Sequence, residues 1–140
     1  MMKQKAVHCG LAGLGLVLSL VVPANVAFGQ SQVRTQDYLR NLVQLSEVLG
    51  QAHAIRTICR GSTSQEWRLE MQDLLTLEAP NQSGLRRSMV NGFNAGYAVG
   101  TDRYSQCDSA AVAGYRELAV EGRNLSDRLT QATIQSGQLR

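Results

Sequence analysis

The sequence predicts an all-α fold of about four antiparallel helices in a small bundle, stapled by one disulfide and preceded by a cleaved signal peptide. Three observations predict it. After residue 34, apolar residues recur at steps of three, four or seven, and strand-like alternation is absent. Helix-stopping and helix-starting residues, among them Gly61, Pro80 and Asp108-Ser109, divide this region into four. Two cysteines, Cys59 and Cys107, close the first and third of those segments.

Residues 1–29 read as Lys3 and Lys5, an apolar stretch from Gly10 to Val22, then Pro23 and small residues around Ala27-Phe28-Gly29. This is the three-part layout of a secretory signal, and its apolar stretch is short for a bilayer span. The expected organisation is therefore a signal peptide at 1–29 and a single helical domain at 30–140, located in the periplasm. No stable membrane span is expected once the signal is removed.

The 140-residue chain carries 14 basic and 11 acidic residues, but its only lysines, Lys3 and Lys5, lie in the signal. The exported chain keeps 12 arginines against those 11 acids, a balance too even for the long-range field that nucleic-acid binding needs. Nucleic acid is thus not an expected partner. Regularly spaced Leu, Val, Ile, Met and aromatic residues also exclude a disordered chain, and about 110 residues can bury one core.

Cys9 precedes the apolar stretch instead of ending it, which argues against a lipoprotein anchor. Cys59 and Cys107 then enter an oxidising compartment as an isolated pair, where an intramolecular disulfide is the default. The alternatives are two buried free thiols or a bond to another chain. Closing a loop of 48 residues is worth roughly 4 kcal/mol by chain entropy.

The first helix starts at Thr35 or Gln36 and carries Leu39, Leu42, Leu45, Leu49, Ala52 and Cys59 inward until Gly61. Thr63-Ser64-Gln65-Glu66 has the capping-box pattern, and the second helix follows with Trp67, Met71, Leu74 and Leu75 inward. It ends before Pro80, which lacks an amide hydrogen. Leu85, Met89, Phe93, Tyr97 and Tyr104 mark a third helix running to about Cys107.

Beside that large-residue face, Ser88, Gly92, Gly96 and Gly100 repeat every four residues and leave backbone bare. Glycine costs up to ~1 kcal/mol in a helix interior, so something packs close enough to recover the loss. Contact with a helix of the same chain is the plain reading. A glycine zipper for self-association stays open, whereas Asn91, Asn94 and Asp102 argue against membrane entry. Asp108 or Ser109 caps a fourth helix with the stripe Val112, Tyr115, Leu118, Ala119, Leu125 and Leu129, fraying from Gln135. Short connections imply antiparallel neighbours, so helices one and three run the same way. Their cysteine ends then meet at one end of the bundle.

Leu45-Ser46-Glu47-Val48-Leu49-Gly50 leading to Cys59, then Trp67-Arg68, Met71, Leu74-Leu75 and Glu78-Ala79-Pro80, then Phe93-Asn94-Ala95-Gly96-Tyr97, Tyr104 and Cys107, together resemble an uncharacterised family. That family comprises small secreted alphaproteobacterial proteins with two well-separated cysteines. The resemblance covers about residues 36 to 130. It implies an export signal, a disulfide and a helical envelope domain, and it supplies no activity or catalytic residues.

Among residues weighed for chemistry, His53 is the single histidine of residues 30–140, and Cys59 lies six positions on. Six residues turn a helix by about 600°, so the two side chains diverge and make no Cys-His pair. His53 is expected at the helix surface or core edge. No metal site is expected, because neither Cys-x-x-Cys nor Glu-x-x-His occurs. Glu66, Glu70 and Asp73 share one helix face, as do Glu117 and Glu121, and such carboxylates could in principle hydrolyse glycans. A solvated face is the plainer reading. Glu78 stands out because a carboxylate before Ala79-Pro80 opposes the helix dipole.

Arg56, Arg60 and Arg103 fall near the cysteine end, and Arg86-Arg87 sits in the first turn of the third helix. These five arginines are the candidate partner-binding residues, since guanidinium suits carboxylate or phosphate. Trp67 is read as a core anchor. The expected role is a non-enzymatic adapter or regulator that binds another envelope component, such as a periplasmic protein, with no catalytic residues and no cofactor. The alternatives are a peptidoglycan-acting enzyme or accessory factor using carboxylates, and a small-ligand carrier.

Overall fold

The computed structural model describes residues 34–81 and 83–137; residues 1–29, expected above to be a signal peptide, lie outside the described residues. Four helices and no strand occur among them: α1 (Gln36–Arg60), α2 (Glu66–Glu78), α3 (Ser83–Arg103) and α4 (Ser109–Gln135). All belong to one compact unit, Gln32–Arg140.

Helix α1 begins where Thr35 accepts the Tyr38 amide at 3.2 Å and ends at Gly61, whose φ of 90° suits glycine. Its buried residues include Leu42, Leu45, Ser46, Val48, Gly50, Ala52, His53, Ala54 and Ile55. They cover every side of the helix, not the single stripe expected, because α1 is the hub on which the other three helices pack. The buried Ser46 hydroxyl has no water to meet and donates instead to the Leu42 carbonyl at 2.8 Å.

The directions follow from paired contacts. Arg56 approaches Glu66 at one end of α1 and Tyr38 bonds Glu78 at the other, so α2 runs antiparallel to α1. Val48 faces Gly122 while Arg56 covers the Tyr115 ring, so α4 is also antiparallel. On α3, Gly92 meets Val43, Gly96 meets Glu47 and Gly100 meets Gln51, a constant offset of 49 residues that makes α3 parallel to α1. The closest helix pair is therefore parallel, and the backbone of α4 packs on α1 alone. Helices one and three run the same way, as the short connections implied, but α3 and α4 follow each other in sequence without their backbones packing together.

Along the parallel seam the backbones touch. A Cβ added to Gly96 would stand 2.0 Å from the Glu47 carbonyl oxygen, and one on Gly50 would stand 2.0 Å from that of Phe93. The Gly96 Cα thus lies within about 3.5 Å of that oxygen, the range of a Cα–H···O contact. Gly92 and Gly100 meet α1 at 3.0 Å and 2.5 Å on the same construction, whereas Ser88 is exposed at the rim. Beyond the seam, Cys59 and Cys107 lie at disulfide bonding distance, with Cα atoms 4.8 Å apart. Their separation of 48 residues nearly continues the glycine offset, so the bridge fastens the ends of the same parallel pair.

Several boundaries differ from expectation. Helix α3 ends at Arg103, and Tyr104–Cys107 leave it so that the Tyr104 hydroxyl can occupy the space over Gly114, where a Cβ would lie 2.1 Å away. Asp108 caps α4 by accepting the Ala111 amide at 2.9 Å. The inward α4 residues are Ala111, Gly114, Leu118, Leu125 and Leu129, while Val112 is 41% exposed and Ala119 is also exposed. The capping box does not form around Thr63: Gln65 stands at the N-cap, and Ser64 donates to Glu66 at 2.7 Å.

Candidate functional site

Two helix faces with the same spacing enclose a solvent-open cleft of about 500 Å³ over α1. On α2 the face is Arg68, Met71, Gln72 and Leu75; on α3 it is Val90, Phe93, Asn94 and Tyr97. Both run i, i+3, i+4, i+7, so each helix aims one stripe at the gap. His53 and Thr57 of α1 form the floor, and Ser62 and Gln65 close one side. A volume of this size lies within the ~300–1,000 Å³ of small-molecule sites.

His53 is 6% exposed, with its ring centroid 5.8 Å from that of Phe93 and 5.5 Å from that of Tyr97. Its Nδ1 is buried without a hydrogen-bond partner, and the residue lines the cleft floor. Burial lowers its pKa from the usual histidine value, and the positive charge of Arg68 pushes the same way against Glu66. His53 is therefore neutral at pH 7. The ring thus lies at the core edge, where α3 covers the side that α1 alone would leave open and the cleft begins.

Arg68 projects into the cleft from an exposed position, and no ion pair or hydrogen bond holds it among the described residues. Among the described residues no Asp or Glu lines the cleft. The Thr57 hydroxyl donates to the Ala54 carbonyl at 2.8 Å.

The candidate arginines divide into two groups. Arg56 lies 3.8 Å from Glu66 and 5.7 Å from the Tyr115 ring centroid, joining α1, α2 and α4. Arg86 donates to the carbonyls of Leu75 at 3.3 Å, which also accepts the Ala79 amide, and of Ala79 at 3.5 Å, adding partners at the end of α2. Arg60, Arg87 and Arg103 are exposed, with Arg103 over the Tyr104 ring. None of the five lines the cleft; the arginine that does is Arg68, which sequence reasoning did not single out.

The carboxylates are placed by the fold. Glu78 bonds Arg34 at 3.1 Å and accepts from the Tyr38 hydroxyl at 3.0 Å. Its charge thereby sits beside the first turn of α1, where the helix dipole favours it, so the apparent offence at the end of α2 is compensated. Glu66 accepts from Ser64, which holds its carboxyl below the usual range, the direction opposite to a general acid's need. Glu70 and Asp73 border a separate groove with Leu45, Leu49, Trp67, Leu74, Leu77 and Ser126. Trp67 is half-buried and donates its indole N–H to the Tyr115 hydroxyl at 3.1 Å, tying α2 to α4.

Among the described residues there is no group of three His, Cys, Asp or Glu able to hold a metal ion. No described helix is long and apolar enough to cross a membrane. No curated protein and no solved structure matches the chain. A family described as "Protein of unknown function (DUF2385)" matches residues 37–133, which takes in every helix and both bridged cysteines, and the chain belongs to that family.

Proposed function

We propose that this chain is a non-enzymatic binding protein of the cell envelope, an adapter or regulator whose working surface is the cleft between α2 and α3. The observation that carries the reading is the composition of that cleft. Apolar and aromatic side chains, neutral amides and one unpaired guanidinium converge there, while Glu66 and Glu78 are engaged elsewhere in the fold. Such a lining holds a molecule by shape and charge and offers no paired carboxylates for hydrolysis. The signal-like layout of residues 1–29 supports an envelope setting, and Val90 and Tyr97, each 37% exposed, leave apolar surface at the cleft for a partner to cover.

A second reading, carriage of a small ligand, is favoured by the cleft volume. In-cell photo-crosslinking from position 94, compared with position 120 on α4, tests the adapter reading. Recurrent capture of one envelope protein from position 94, abolished by Arg68→Glu, is the expected result. Equal capture from both positions, or capture of none, overturns it.

A further inference from the structure

We infer that the α2–α3 cleft binds a carboxylate carried on an apolar, ring-sized body, either a free organic acid or the carboxyl terminus of a peptide. The inference concerns the cleft described above and does not require its occupant to be a protein.

Charge defines one end of the ligand. Among the described residues Arg68 is the only Arg, Lys, Asp or Glu side chain lining the cleft, and burial favours the neutral form of His53. An anion therefore meets one unpaired guanidinium and no repelling carboxylate, whereas a cation finds no counter-charge. One guanidinium balances a single negative charge, which suits a carboxylate better than a doubly charged phosphate. The side-chain amides of Gln72 and Asn94 add donors on facing walls.

Burial defines the other end. Met71 and Leu75 on α2 face Val90, Phe93 and Tyr97 on α3, and covering apolar surface gains about 25 cal/mol per Å². A second observation is independent of charge: a nine-tenths buried histidine stands in the floor with Nδ1 unpartnered. A buried polar atom without a partner costs ~1–3 kcal/mol, an expense that cores avoid and binding sites retain. A cleft of about 500 Å³ is on the order of 10 Å across, so one phenyl-sized ligand reaches both the guanidinium and the aromatic wall.

The test titrates the purified protein, disulfide intact, with 3-phenylpropionate and with its uncharged isostere 3-phenylpropionamide. Binding is read from the His53 ring and the Gln72 and Asn94 side-chain amide resonances. Expected is saturable binding of the acid, at least about tenfold weaker binding of the amide, and a similar loss of acid binding in Arg68→Gln. Arg87→Gln, on an exposed residue outside the cleft, leaves both unchanged. An acetylated peptide ending in Phe, compared with its C-terminal amide, separates the two sources. Tighter binding of the peptide acid than of 3-phenylpropionate assigns a chain terminus, and the reverse assigns a free acid. Equal binding of acid and amide, indifference to Arg68→Gln, or shifts mapping outside the cleft overturn the inference. That failure is distinguishable from failure of the adapter reading, because capture of an envelope protein from position 94 is scored separately.

Discussion

Replacing Gly96 with alanine sets two effects of opposite sign against each other. Alanine favours a helix interior over glycine by up to ~1 kcal/mol, so the change should stabilise α3 if nothing packs there. The new methyl, however, would stand 2.0 Å from the Glu47 carbonyl oxygen and 2.8 Å from its carbon. A carbonyl inside a helix cannot turn aside, so the parallel helices must separate, and Gly50, Gly92 and Gly100 lose their contacts with them. Overpacking costs ~1–3 kcal/mol where side chains can yield, and here backbone meets backbone, so we expect a net loss of about 2 kcal/mol or more. At ~4–8 °C per kcal/mol, Tm falls by about 8–16 °C. Gly122 supplies the control, because its added Cβ meets only a Val48 methyl, at an ordinary 3.5 Å. Gly122→Ala is expected to gain ~0.5–1 kcal/mol. Thermal and urea unfolding followed by far-UV circular dichroism, under non-reducing conditions, reads both. A Gly96→Ala protein as stable as the parent would refute the α1–α3 seam.

Three further outcomes follow from the same structure. Replacing Cys59 and Cys107 together by serine should lower stability by roughly 4 kcal/mol, the loop-closure value for a 48-residue separation, measured by urea unfolding with the slope fitted separately for each protein, since the unbridged unfolded chain exposes more surface. Asp108→Ala removes the cap that accepts the Ala111 amide and should lower Tm in thermal unfolding. The same carboxylate has its pKa lowered by that bond, so its contribution, present above the unfolded value near 3.8, is lost as pH falls through the folded value. His53 also has a lowered pKa, so below the unfolded value near 6.5 the unfolded chain binds the extra proton. Stability should therefore decline as pH falls from 6.5 toward the folded value, and His53→Leu should flatten that limb; an unchanged slope would show that His53 titrates freely.

The candidate site was less legible than the fold. Arg68, Gln72 and Asn94 are polar residues at helical spacing, a pattern that in isolation describes a solvated face. The usable signal was the matched i, i+3, i+4, i+7 arrangement on two helices, four mixed residues on each, which only acquires meaning when the helices face one another. Glu78 shows the reverse error. It looked misplaced beside the end of α2 because its counter-ion, Arg34, lies 44 positions earlier in the chain. Arg86 likewise looked free for a partner, yet it donates to carbonyls at the end of α2.

By itself the sequence determined the number of helices, the stop at Gly61 and the pairing of Cys59 with Cys107, and it narrowed the caps to Thr35 or Gln36 and to Asp108 or Ser109. These depend on local backbone chemistry, or on only Cys59 and Cys107 lying beyond residue 29, and need no knowledge of neighbours. Tertiary structure decided how widely α1 is buried, that α3 is its closest partner, and that His53 lies beneath a cleft. A helix surrounded by others carries no single apolar stripe, because each neighbour accepts a different residue type: small at the α3 seam, aliphatic toward α4, mixed toward the cleft. Periodicity reports one boundary between core and water, and α1 has almost no such boundary to report.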